Sequence, residues 1–127
     1  MGNGTSIGRV RGLGAAHSGS HHWLIIRYTA IGSLLLTVWF GVSLLMLPNF
    51  SYGTVREWLA GPVPATAMAL FVVINIWHAR LGLQVAIEDY VHEDANKFAS
   101  MTALNLVTFA AAAFGLFCVV RLALGGA

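Results

Sequence analysis

Three long apolar runs divide this chain, and most of its polar residues fall between them. From Leu24 to Leu47 the sequence is almost uncharged after Arg27, and its 24 residues exceed the roughly 20 that a helix needs to cross a bilayer. Pro48, Asn49 and Gly53 end that run. In the short segment that follows, Val55, Trp58 and Leu59 share one side and Arg56 and Glu57 the other, which predicts a helical turn on the membrane surface, with Tyr52 and Trp58 at headgroup level. Gly61-Pro-Val-Pro64 breaks the chain again, and a second apolar helix is expected from about residue 64 to 91. His92, Glu93, Asp94, Asn96 and Lys97 read as a polar loop before a third run, from about 98 to 124.

The expected architecture is therefore all-α: a bundle of three transmembrane helices, at about 24–47, 64–91 and 98–124, with a short interfacial helix between the first two. Residues 1–22 read as an irregular tail, with six glycines and no apolar stretch of the kind a cleaved signal carries. Residues 23–127 form the anchor domain. Composition supports this reading, because a chain of 127 residues that is 57% hydrophobic and 9% charged, with a mean hydropathy of +0.75, carries more apolar surface than its own core can absorb. The net charge of +2 rests on seven Lys and Arg, too few and too scattered for nucleic-acid binding. A lone cysteine, Cys118, excludes an intrachain disulfide and a cysteine-only metal cage.

Where the basic residues fall sets the orientation. With the N-terminus cytoplasmic, that side carries Arg9, Arg11, Arg27 and Lys97 against Arg56 and Arg121 outside, which favours N-in.

The chemistry concentrates on the second helix. His78 lies within the apolar run and Asp89 eleven residues later, close to three turns, so the two share a face about 16 Å apart along the axis. A neutral imidazole at that depth can ligate haem iron, with Gly82 one turn on making room for a flat macrocycle, or it can hydrogen-bond a neighbouring helix. No other histidine lies at comparable depth and no Cys-x-x-Cys-His motif is present, so a second axial ligand would have to come from another chain. Arg80 stands roughly 200° round the helix from His78, in line with Gln84 and Glu88. That stripe fits a polar interface or crevice, and it equally fits an arginine snorkelling to the headgroups. Asp89 and Tyr90 fit either a solvated helix terminus or a proton-active pair, a phenol donating to a carbonyl-type acceptor beside a carboxylate that relays protons. Arg27 and His21, at the start of the first helix, supply cations either for acidic groups or as membrane anchors.

Together these residues resemble the smaller of the two hydrophobic membrane anchors of the succinate dehydrogenase (complex II) family. The resemblance rests on His78-x3-Gly82-x6-Asp89-Tyr90-Val91, preceded by His21-x5-Arg27-x-Thr29-Ala30, and it looks most like the bacterial branch close to mitochondria. It implies that His78 is one axial ligand of haem b, shared with a second membrane anchor. It implies that Tyr90 hydrogen-bonds a ubiquinone carbonyl with Asp89 beside it, and that His21 and Arg27 lie near the haem propionates and the quinone mouth. Iron–sulfur and flavoprotein subunits would dock on the cytoplasmic face of a bacterial inner membrane. The chain alone would hold no catalytic residue and would oxidise no succinate itself. Two rival readings are a haem-free fumarate reductase anchor and a structural or transporter accessory subunit in which Arg80, Gln84 and Glu88 line a polar path.

Overall fold

A computed structural model of the chain describes residues 19–125, and among these there are helices and no strands. Four helices follow one another: α1 over Gly19–Met46, α2 over Tyr52–Leu59, α3 over Pro62–Tyr90 and α4 over Asp94–Ala123. The three long ones have 28, 29 and 30 residues. Each is about 42–45 Å long against a hydrocarbon core of about 30 Å, so each crosses the bilayer with its ends projecting. The chain is thus a multi-pass helical membrane protein, as its apolar runs predict.

Two boundaries differ from the hydropathy reading. α1 begins at Gly19 rather than near residue 24, because Ser20, His21 and His22 are polar without being helix breakers; hydropathy marks where the bilayer starts, not where the helix does. The charges expected in a loop at 92–97 instead open α4. Glu93 takes the capping position, its carboxylate accepting from Asn96, and Asp94 in the first turn suits the positive end of the helix. The linker shrinks to Val91–Glu93. Of the basic residues that set the orientation, Arg9 and Arg11 lie outside the described residues, as does most of the expected tail.

α3 is the middle of the row. It packs against α1 on one side and α4 on the other, while no Cα of α1 lies within 8 Å of any Cα of α4. On the α1 side, Thr29 meets His78, Gly32 meets Ile74 and Ser33 meets Asn75, so that from Thr29 to Ser33 along α1 the partner on α3 falls from His78 to Asn75, as antiparallel neighbours require. Phe40 packs on Phe71 further along, with ring centroids 5.0 Å apart. On the α4 side, a Cβ added at Gly115 would stand 2.7 Å from Cγ1 of Val72, so the close approach of α3 and α4 requires glycine there. Very little is enclosed: the buried apolar residues among those described are Leu59, Leu81 and Val119. The remaining apolar surface belongs to lipid or to other chains.

Where α1 ends and α3 begins, the chain ties itself together. Asn49 Oδ1 accepts from Ser51 N–H and from the Thr54 hydroxyl, and Ser51 Oγ caps α2 by accepting from Thr54 N–H. Pro62 occupies the first position of α3, where its missing N–H costs nothing. Trp58 stacks on Trp39 of α1, with centroids 5.8 Å apart, which draws α2 onto the bundle. Gly125, at φ +74°, takes the left-handed turn that closes α4, and its carbonyl accepts from the Arg56 guanidinium at 2.6 Å.

Candidate functional site

His78 is half-buried on the α1 side of α3, with Nδ1 3.1 Å from Thr29 Oγ1. The direction of that bond follows from the threonine. Its single proton goes to the backbone carbonyls one turn back, Ile25 at 2.8 Å and Ile26 at 3.0 Å, so its oxygen is left to accept from His78 Nδ1–H. The imidazole is then the tautomer with its free lone pair on Nε2, which meets no partner among the described residues. Gly82, one turn on, has nothing within 4 Å of where a Cβ would sit. A ring with one nitrogen secured by its own fold and the other left open is the arrangement seen in metal-bound histidines. The described residues contain no cluster of three or more His, Cys, Asp or Glu that could hold a metal unaided.

The sequence alone assigns no role to Thr29, though it contains the signal. A buried histidine needs a partner, and Thr29 is one of the few polar residues on the apolar part of the neighbouring helix.

The other predicted residues gather at one end of the row without bonding to one another. Asp89 and Tyr90 close α3, and Tyr90 is 83% exposed. His21 is exposed in the first turns of α1, whereas His22 beside it turns inward, its Nε2 buried with no hydrogen-bond partner among the described residues. With Thr29 level with His78, His21 and His22 stand about 10–12 Å nearer this end than His78, so neither can face the same metal. Arg27 stands only about 3 Å nearer the end than His78, and its guanidinium leans back over Trp23, 4.6 Å from the ring centroid. No hydrogen bond or ion pair joins Arg27, Asp89 and Tyr90 among the described residues. Asp89 and Tyr90 are therefore exposed at this end without a partner among the described residues, while Arg27 lies closer to the level of His78.

The stripe predicted on α3 is a continuous hydrogen-bonded chain on the α4 side. Arg80 Nε donates to Asn105 Oδ1 at 2.9 Å and Nη1 to Gln84 Oε1 at 3.2 Å, and Gln84 in turn donates to Glu88 at 2.9 Å.

Comparison with known proteins places this architecture in a class. Residues 1–116 match the family of succinate dehydrogenase/fumarate reductase transmembrane subunits, and the chain belongs to that family. The succinate dehydrogenase hydrophobic membrane anchor subunit of Rickettsia conorii is 40% identical over 86 residues, covering 67% of this chain and 68% of that one. Its counterpart in Paracoccus denitrificans is 27% identical over 116 residues, 91% of this chain and 89% of that one. The membrane anchor subunit of Reclinomonas americana is 33% identical over 94 residues, 71% and 78% of the two chains. Within the family the chain is accordingly of the succinate dehydrogenase membrane-anchor kind, one component of a larger assembly.

Proposed function

We propose that this chain anchors succinate dehydrogenase in the bacterial cytoplasmic membrane, supplies one axial ligand to haem b and builds part of the site where ubiquinone is reduced. The observation that carries the haem assignment is His78, with Nδ1 committed to Thr29 and Nε2 left without a partner beside the open surface at Gly82. His78 Nε2 holds the iron, and Thr29 fixes the tautomer and keeps the ring from turning. A haem so placed supplies one-electron transfer next to the quinone site. Six-coordinate iron needs a second axial ligand, and with His21 and His22 about 10–12 Å away it comes from a companion membrane anchor.

Quinone reduction takes up two protons with two electrons, so its site needs a hydrogen-bond donor at a carbonyl and a route for protons. Tyr90 is the donor, and Asp89 beside it receives protons from the aqueous phase and orders the charges of the mouth. Arg27 and His21 add positive charge at the α1 start, facing the haem propionates and the quinone. Iron–sulfur and flavoprotein subunits dock over this end and deliver electrons from succinate. The N-terminus is cytoplasmic on the sequence count of basic residues, with Arg9, Arg11, Arg27 and Lys97 on the N-terminal side of the membrane against Arg56 and Arg121 on the other.

The test is a kinetic split in the assembled complex. Tyr90→Phe keeps succinate oxidation by an artificial dye within about twofold of wild type, while ubiquinone reduction falls by roughly a hundredfold. Equal rates with quinone in the variant and wild type would remove Tyr90 from the site.

A further inference from the structure

The α4 side of α3 carries a feature that anchoring, haem and quinone do not use. Between the two helices lies a cavity of about 180 Å³, walled by Val73, Ile76, Trp77, Phe109 and Ala112, with Arg80 and Asn105 at one end. It opens about 200° round α3 from His78, so a chain that completes the His78 side leaves it free.

Arg80 sits deep. Its Cα is ten residues from the end of α3, about 15 Å along the axis, and with the helix centred on a hydrocarbon core of about 30 Å it lies roughly 8 Å inside. A cation there is costly unless it finds an anion or water. Its partners are all uncharged: Asn105, Gln84 and the face of Trp77, 5.7 Å from the guanidinium carbon. No carboxylate among the described residues pairs with it, and Glu88 is reached only through Gln84. The bond to Gln84 draws the guanidinium about one turn, some 5–6 Å, towards the α3 C-terminal surface, close to the base of the headgroups. Nη2 makes no bond among the described residues. Towards the bilayer centre from that charge the walls are apolar apart from Thr108, whose hydroxyl is already committed to the Leu104 carbonyl at 2.6 Å.

Positive charge at the interface end, with an apolar trough running inward, is the order in which a phospholipid presents its parts: phosphate first, then acyl chain. We infer that the α3–α4 groove is a binding site for one anionic glycerophospholipid of the leaflet at the α3 C-terminal end, its phosphate on Arg80 and an acyl chain along Val73, Ile76, Phe109 and Ala112. The site rests on membrane insertion alone and does not depend on the haem or quinone assignments.

The experiment uses the purified complex in phosphatidylcholine vesicles containing a minority of phosphatidylglycerol with a photoactivatable acyl chain; crosslinked peptides are mapped by mass spectrometry. In wild type the crosslinks concentrate on residues 73–77 and 105–112. Arg80→Gln lowers them about tenfold, as expected for losing a charge-assisted bond, whereas Arg56→Gln leaves them unchanged. Ala112→Trp keeps the cation but fills the trough, and it lowers the yield as well, so a failure of Arg80→Gln to assemble leaves the site testable. Three results would overturn the site: equal yield from a phosphatidylcholine probe, an even spread over the exposed face of α1, or lipid crosslinks that fall on another protein chain and leave residues 73–77 and 105–112 unlabelled.

Discussion

The two ends of the helix row are built on opposite principles. Where α1 passes to α3, polar groups of an exposed turn find partners within the chain: Asn49, Ser51 and Thr54 bond one another, Arg56 holds the Gly125 carbonyl, and Trp58 lies on Trp39. At the other end, His21, Asp89 and Tyr90 stand exposed and His22 keeps a buried nitrogen unpaired. An end that satisfies itself is a strap, and its residues serve stability. An end that leaves an imidazole, a carboxylate and a phenol unpaired is open to groups outside the chain, as the proposed quinone site requires. His78 lies between the two, with one nitrogen treated in the first way and the other in the second.

That contrast breaks if substitutions at the two ends have interchangeable effects. Asp89→Asn carries the largest expected change: ubiquinone reduction by the assembled complex drops by roughly a hundredfold, while dye-linked succinate oxidation and the amount of complex in the membrane stay near wild type. Unaltered quinone kinetics would make the open end a solvated terminus. Thr29→Val, which keeps the shape of the side chain but removes the acceptor, comes next. Haem affinity of the complex falls about tenfold and the haem midpoint potential moves, with assembly of the complex retained; titration of haem into stripped complex reads the first and redox potentiometry the second. Identical affinity and potential would detach Thr29 from the metal site. Trp58→Ala is the smallest and the mirror image: it lowers unfolding stability in detergent by about 1 kcal/mol through loss of the stack on Trp39, with quinone kinetics unchanged. A kinetic defect there, without a stability loss, would mean the strapped end also takes part in function.

How much of this is legible in the sequence depends on which physical signal each feature leaves there. Three spans and a surface helix follow from apolar run length, and the Arg80–Gln84–Glu88 alignment from helical spacing; all of these appear in the structure. Helix starts are less legible, because polarity at Ser20–His22 and at Glu93–Lys97 marks the membrane surface rather than the helix end. The Trp39–Trp58 stack, the hold of Arg56 on Gly125 and the Thr29–His78 bond join residues 19, 69 and 49 positions apart, and no local pattern announces such pairs. The proposed quinone site is legible as residue types at one end, but not as a closed site, since no hydrogen bond joins those residues among the described ones.

The open nitrogen of His78 carries more of the proposed function than any other atom in the chain. The direct test is the reduced-minus-oxidised absorption spectrum of the purified complex carrying His78→Ala, compared with wild type at matched protein content. Ligation by His78 predicts that the haem b band is lost or displaced and its midpoint potential shifted; a band and potential identical to wild type would contradict it.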